Sequence, residues 1–197
     1  PLDHKELCNQ LLPYDLKPDQ YILSVGTIEP RKNLTTLIHA YSQLTAKLGE
    51  RYPLVIVGMR GWREASIIKT IEPLRGKGLI KVLGYVSEEA LRALYSGARV
   101  FAFPSIYEGF GMPVIEAMAC GTPVITSDCS SLPEVVGDSG VLLDPHDVNK
   151  WEDSLMEIIS DDDKCETMIT RGLKRASLFS WDETAKKTYQ VYCQVTG

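Results

Sequence analysis

Two short stretches of the 197-residue chain combine glycines with charged side chains in patterns that could bind an anion and a sugar. In the first, Gly26 is followed by Arg31 and Lys32, directly before a helical pattern that begins after Asn33. A glycine lets the backbone approach a ligand, and helix amides with an arginine and a lysine form an anion site that suits a diphosphate. No second glycine precedes the lysine, so the stretch is not a P-loop. A surface turn with solvated charges is the alternative.

The second stretch places two acids around a glycine pair. Glu108 precedes Gly109 and Gly111, and Glu116 lies one turn inside the helix that follows. Valine occupies the place of a third glycine, which excludes a dinucleotide fingerprint. An ionised carboxylate offers two acceptor oxygens and therefore suits adjacent hydroxyls of a sugar or a ribose. The alternative is that Glu108 caps a helix and Glu116 is an exposed helical acid.

These residues need strands and helices that bring them together. Continuous apolar runs predict strands buried on both faces. The runs alternate with amphipathic helical patterns, which favours an α/β fold with a doubly wound, mostly parallel, Rossmann-like sheet. Both stretches follow a strand, at the carboxyl edge where such sheets bind ligands. The predicted strands are Tyr21–Val25, Leu54–Val57, Ile80–Leu83, Val100–Phe103, Val124–Thr126 and Val141–Leu143.

Helix signals lie between these strands. Asn33 is a predicted N-cap of a helix whose apolar face recurs up to Leu48, and Ser87 is a predicted N-cap of another. Pro113 begins a helix that ends near Cys120. The remaining predicted helices are Arg63 to Ile71 with Pro73 just beyond, Val148–Ile159, Asp163–Leu178, and one after Ser180.

Composition excludes several classes of protein. The net charge is −5, which argues against a nucleic-acid-binding surface. No stretch has the length of a membrane span. The five cysteines are odd in number and form no CxxC pair, so neither a zinc site nor a disulfide framework is indicated, and a reducing cytoplasm is the simplest compartment. Asp161–Asp163 is interpreted as a solvated linker and helix cap rather than a metal–nucleotide motif.

Several sequence segments together resemble one known family. EGFGMPVIE, AMACGTPVI and SLPEVVGDSGVLLDP, with VGTIEPRKNL and VLGYVSEEALRALYSGARVFAFPS, closely resemble family 4 glycosyltransferases, also called glycosyl transferases group 1. These are retaining enzymes of GT-B architecture, and the resemblance covers about residues 20–195. It implies that residues 1–18 are an interdomain linker, 19–179 a nucleotide-sugar-binding domain, and 180–197 a helix reaching toward an absent N-terminal domain.

The resemblance implies transfer of a hexose from a nucleoside-diphosphate sugar to an acceptor hydroxyl, without metal or other cofactor. Lys32, helped by Arg31, is expected to bind the diphosphate, and Glu108 the sugar hydroxyls. These three are the expected catalytic residues. Glu116 is expected to bind the ribose. The remaining expected contacts are Gly26 and Gly109 at the donor, the amides of Phe110, Gly111 and Met112 on the phosphates, and Tyr85 and Val86 on the base.

Donor, acceptor and catalysis stay open in part. The EPRKN form resembles bacterial mannosyltransferases, which favours GDP-mannose, while UDP-glucose remains an alternative. Many family members carry arginine where Thr27 stands. The acceptor, a saccharide or lipid-linked saccharide, is expected on the missing half, so the chain alone should not transfer sugar. We expect the full-length protein in the cytoplasm or peripherally at the cytoplasmic face of the membrane. A sugar-nucleotide epimerase half and a non-catalytic nucleotide-sugar-binding module are alternatives.

Overall fold

A computed structural model describes residues 3–48 and 51–196. Six strands form one sheet in the order β3-β2-β1-β4-β5-β6, and each neighbouring pair is parallel. This confirms the predicted fold class, and each predicted strand is present with bounds that differ by at most one residue. The strands are β1 (Ile22–Val25), β2 (Leu54–Val57), β3 (Ile80–Gly84), β4 (Val100–Phe103), β5 (Val124–Ser127) and β6 (Val141–Leu143).

Helices cover both faces of the sheet. Two short segments, Leu12–Tyr14 and Pro30–Lys32, are 3₁₀-helical. The helices are α1 (His4–Leu11), α2 (Leu34–Leu48), α3 (Ala65–Arg75), α4 (Glu88–Ser96), α5 (Met112–Ala119), α6 (Leu132–Val136), α7 (Val148–Ser160), α8 (Asp162–Ala176) and α9 (Trp181–Thr196).

Alternate strand residues supply two apolar layers. Ile22, Ile56 and Val100 belong to the layer that packs against α2, α3, α7 and α8. Leu23 and Phe101 belong to the opposite layer, which packs against α1, α4, α5 and α6. Because successive side chains of a strand point to opposite faces, a strand buried on both sides must be apolar at every position, as these runs are.

One local helix prediction needs correction. α3 continues past the predicted end at Ile71 and includes Pro73 in its last turn. The partly buried Leu74 packs against the core one turn beyond Ile71, and this burial favours the extra turn over the proline's lost amide. At α2, Asn33 directly precedes the first helical residue, which is the position predicted for the N-cap. It has a left-handed φ of 50°, and its Oδ1 accepts a hydrogen bond from the Thr36 hydroxyl at 3.0 Å.

The ends of the described chain behave differently from each other. The segment predicted as a linker contains α1, and it buries Leu7, Leu11 and Leu16 in the core layer that includes α4. This segment therefore packs as part of the domain, whatever else it connects. In α9, by contrast, every side chain from position 181 to 195 is exposed, with Trp181 76% and Tyr192 65% exposed. The predicted domain boundaries themselves stay predictions.

Candidate functional site

The sheet order places the two chemically interesting loops side by side. β1 and β4 are neighbours, yet the chain leaves β1 toward β2 on one side and β4 toward β5 on the other. Such a switch point opens a crevice beyond the carboxyl ends of the two strands. Across this crevice the amide of Ile106 donates to the Arg31 carbonyl at 2.9 Å, which ties the loops together.

One carboxylate, Glu108, lies at the centre of this crevice. Its Oε1 is 2.6 Å from Lys32 Nζ, and its Oε2 is 2.9 Å from Arg31 Nη1. The Ser105 hydroxyl donates to Oε1 at 2.6 Å. Arg31 also binds Glu29 at 2.8 Å. The three residues predicted to be catalytic are therefore in direct contact.

The cluster is largely shielded from water. The side chains of Lys32 and Glu108 are only 12% and 11% exposed, whereas that of Arg31 is 38% exposed. The ammonium of Lys32 lies 4.8 Å from the ring centroid of Phe103, whose π face attracts a cation. Two neighbouring cations on one acid favour binding of a ligand with more than one negative charge.

Burial and hydrogen bonds act in opposite directions on the acid. Burial raises the pKa of Glu108, but hydrogen bonds from Lys32 and Ser105 outweigh it and hold the pKa below its ordinary value. Burial likewise lowers the pKa of Arg31, and the contacts with Glu108 and Glu29 more than reverse this. The carboxylate of Glu108 and the guanidinium of Arg31 are therefore both ionised near neutral pH.

Three glycines shape the backbone around the cluster. Gly26 has a φ of +149°, and a Cβ there would lie 3.1 Å from Lys32 Cε. Gly111 has a φ of +108°, and a Cβ there would lie 2.9 Å from Leu132 Cδ2. A Cβ on Gly109 would meet no atom within 4 Å. Gly26 and Gly111 are thus required by the fold, while Gly109 borders open space that a ligand can occupy.

The loop after β5 supports the glycine loop through two serines that the sequence analysis did not identify. The Ser130 hydroxyl accepts from the Glu108 amide at 2.9 Å and donates to the Glu108 carbonyl at 2.5 Å. The Ser131 hydroxyl lies 2.7 Å from the Phe110 carbonyl. Ser105, also missed, is fully buried. No periodic pattern marks Ser130 and Ser131, because their partners lie on another loop.

The start of α5 borders the same crevice. Phe110 and Gly111 precede it, and Met112 is its first residue. The first amides of a helix have no partner inside the helix, so they can bind an anion. The Phe110 ring packs edge-to-face on Phe179 at 5.9 Å between centroids.

The remaining predicted contacts lie apart from the cluster. Glu116, one turn into α5, accepts a hydrogen bond from the Tyr95 hydroxyl at 3.0 Å. Tyr85 is 81% exposed and Val86 is partly buried; both follow β3, two strands away from β1, which is roughly 10 Å. A cavity of about 430 Å³ lies at the loops after β1, β2 and β3, lined in part by Ile28, Arg60 and Gly84.

Within 3–48 and 51–196, no three His, Cys, Asp or Glu side chains are grouped as metal ligands would be. No helix in those ranges is long and apolar enough to cross a membrane.

Known proteins resemble the chain over most of its length. An O-antigen chain mannosyltransferase B of Escherichia coli is 43% identical over 182 residues, which cover 92% of this chain and 48% of that protein. A D-inositol 3-phosphate glycosyltransferase of a Nocardioides species is 32% identical over 186 residues, covering 87% and 41%. The chain thus spans about half or less of the curated relatives it matches.

Solved structures share the fold. A sucrose-phosphate synthase of Thermosynechococcus elongatus superposes with a TM-score of 0.80 at 29% identity, covering 98% of this chain and 51% of that one. The C-terminal domain of a group 1 glycosyl transferase of Francisella tularensis gives 0.75 at 21% identity, covering 90% and 97%. The prediction of a Rossmann-like half of a GT-B glycosyltransferase is confirmed. The sequence profile of the family described as "Glycosyl transferases group 1" matches residues 14–175, and the chain belongs to that family.

Proposed function

We propose that this chain is the donor-binding half of a retaining glycosyltransferase that moves a hexose from a nucleoside-diphosphate sugar to an acceptor hydroxyl. The observation that carries this proposal is the Lys32–Glu108–Arg31 cluster at the switch point between β1 and β4. The mannosyltransferase named among the relatives favours mannose as the sugar and GDP-mannose as the donor.

The cations of the cluster bind the diphosphate of the donor. As the bond from the anomeric carbon to the diphosphate breaks, negative charge grows on the leaving oxygen. Lys32, Arg31 and the first amides of α5 stabilise that charge because they are already oriented before the reaction. These groups take the part that a divalent metal plays in other transferases, so the proposed reaction is metal-independent.

Glu108 changes its hydrogen-bond partners when the donor binds. Without donor it accepts from Lys32 and Arg31, and with donor it accepts from sugar hydroxyls while the cations bind phosphate. The Ser105 hydroxyl, 2.6 Å away, keeps one contact with the carboxylate through this exchange. The acceptor hydroxyl attacks on the same face that the diphosphate leaves, and the leaving phosphate takes its proton. The product therefore retains the anomeric configuration.

The acceptor binds elsewhere in the full enzyme. Donor and acceptor must be held together for transfer, and this chain covers 48% of the length of the O-antigen relative. We assign a saccharide or lipid-linked saccharide acceptor to the other half. The full enzyme acts in the cytoplasm or at the cytoplasmic face of the membrane, and the chain alone transfers no sugar.

A thermal-shift panel tests the donor assignment. GDP-mannose, UDP-glucose, GDP and UDP are added to the protein in EDTA, and the unfolding temperature is compared with that of the free protein. We expect GDP-mannose to raise it most, since a ligand that binds only the folded state stabilises it. The Lys32→Ala variant should show a much smaller rise, whereas Lys69→Ala on the exposed face of α3 should respond as the parent does. No shift with any nucleotide sugar would contradict the proposal.

A further inference from the structure

A buried tyrosine of α4 is hydrogen-bonded to Glu116, the acid one turn into α5. Tyr95, near the end of α4, is 2% exposed, and its hydroxyl donates to Glu116 Oε2 at 3.0 Å. Its ring packs edge-to-face on Phe101 at 5.4 Å between centroids, and its carbonyl accepts from the Thr122 hydroxyl at 2.6 Å. The ring and the backbone of Tyr95 are therefore each held by a contact of their own, which limits where the phenol oxygen can lie.

Among the described residues, one oxygen of the Glu116 carboxylate has a hydrogen-bond partner and the other has none. Glu116 is half-buried, and within the described ranges the Tyr95 hydroxyl is the hydrogen-bond partner of its carboxylate. Oε1 has no hydrogen-bond partner among those residues. The two oxygens of a carboxylate are joined rigidly through one carbon, so holding one of them limits the positions that the other can take. Without this bond, the three torsions of the glutamate side chain leave the carboxylate free to adopt other rotamers.

The tyrosine stays a donor at any working pH. Burial, followed by the charge of Glu116, raises the pKa of Tyr95 well above its ordinary value. A buried phenol also requires a hydrogen-bond partner, which Glu116 supplies. Tyr95 and Glu116 are therefore hydrogen-bonded to each other before any ligand binds.

We propose that Tyr95 is a positioning residue, which fixes the Glu116 carboxylate so that its free oxygen accepts from a ribose hydroxyl of the donor nucleotide. This inference rests on the proposed function, in which Glu116 binds the ribose. Tyr95 itself touches no substrate, and its effect appears only in the part of the affinity that depends on the ribose hydroxyls.

The experiment measures directly the part of the nucleotide affinity that depends on the ribose hydroxyls. GDP and 2′,3′-dideoxy-GDP are titrated calorimetrically into the parent protein, Tyr95→Phe, Glu116→Gln and Tyr21→Phe. Tyr21 is the matched control, because it is a fully buried tyrosine whose hydroxyl donates to a backbone carbonyl, that of Leu94, at 2.6 Å. Dideoxy-GDP serves as the internal reference for a folded site, since it lacks both ribose hydroxyls.

We expect the parent and Tyr21→Phe to prefer GDP over dideoxy-GDP by about tenfold, the effect of one hydrogen bond to a charged group. Tyr95→Phe should lose most of this preference while its affinity for dideoxy-GDP is unchanged. Loss in Glu116→Gln with an unchanged preference in Tyr95→Phe overturns the inference and leaves the proposed function standing. An equal fall for both ligands in Tyr95→Phe also overturns it. An unchanged preference in Glu116→Gln overturns both the inference and the ribose contact.

Discussion

Removing the charge of Glu108 should make the protein bind a nucleoside diphosphate more tightly. Without donor, this carboxylate binds both cations that the diphosphate needs, Lys32 at 2.6 Å and Arg31 at 2.9 Å. The phosphates must therefore displace an internal anion. In Glu108→Gln the side chain keeps its shape but loses its charge, so it competes less for the same cations.

The size of the effect follows from the burial of the pair. A hydrogen bond to a charged group contributes about 1.5–3 kcal/mol. The contact with Lys32 is little screened, because both side chains are about nine-tenths buried, whereas Arg31 is 38% exposed and contributes less. Counting the shielded contact alone, at the lower end of that range, the affinity for GDP should rise about tenfold. Turnover of a full-length enzyme should fall, since the sugar hydroxyls lose a charged acceptor.

Calorimetric titration of GDP into the parent, Glu108→Gln and Glu166→Gln measures this. Glu166 is an exposed acid of α8 and controls for the change in net charge. An affinity that falls in Glu108→Gln, rather than rising, would refute the reasoning, because it would show that the acid supports the phosphate site instead of competing with the ligand.

Three further outcomes are expected. Gly111→Ala should destabilise the protein by about 1–2 kcal/mol in chemical denaturation, because the new Cβ meets a leucine at 2.9 Å and φ is positive. Gly109→Ala should leave the free energy of unfolding unchanged but weaken donor binding. Equal losses of stability in the two variants would contradict this. Arg99→Ala should lower the free energy of unfolding by about 3 kcal/mol in the same assay, because its 7%-exposed guanidinium donates to two backbone carbonyls and two aspartates. Arg171→Ala, at an exposed position, should lower it little. Similar losses in the two variants would contradict the structural role of the Arg99 contacts. The ion pairs of Glu108 should stabilise the fold fully above pH 4.5, its ordinary pKa, and should lose this effect as the pH falls through the lower pKa of the folded state. In Glu108→Gln the free energy of unfolding should therefore fall less steeply as the pH is lowered. An equally steep fall in the variant and the parent would contradict this.

Much of the fold follows from local patterns. The bounds of the strands were predicted to within a residue, because a strand buried on both faces has to be apolar at each position. Val100–Phe103 is an example, since all four of its residues are apolar and buried. The Ser87 cap was also predictable, and its hydroxyl accepts from the Ala90 amide. The end of α3 was not, since burial of Leu74 decides it and the sequence shows only Pro73.

The candidate site was predictable as a set of residues and less so as an arrangement. Lys32 and Glu108 were both identified from their loops, because parallel strands direct their carboxyl ends to one edge. Their direct contact joins residues 76 positions apart and depends on β1 and β4 being neighbours, which no local pattern encodes. The same holds for the Ser130 clamp on Glu108, which joins loops 22 positions apart.

The central claim is that Lys32 and Arg31, the two cations of the cluster, bind the diphosphate of a sugar nucleotide without a metal. The most direct measurement is calorimetric titration of GDP-mannose, in EDTA, into the parent protein and into Lys32→Ala. The account predicts one-site binding by the parent and a loss of at least tenfold in the variant, since a charged contact is removed. Binding that appears only after Mg²⁺ or Mn²⁺ is added, or that is equal in the two proteins, would contradict it.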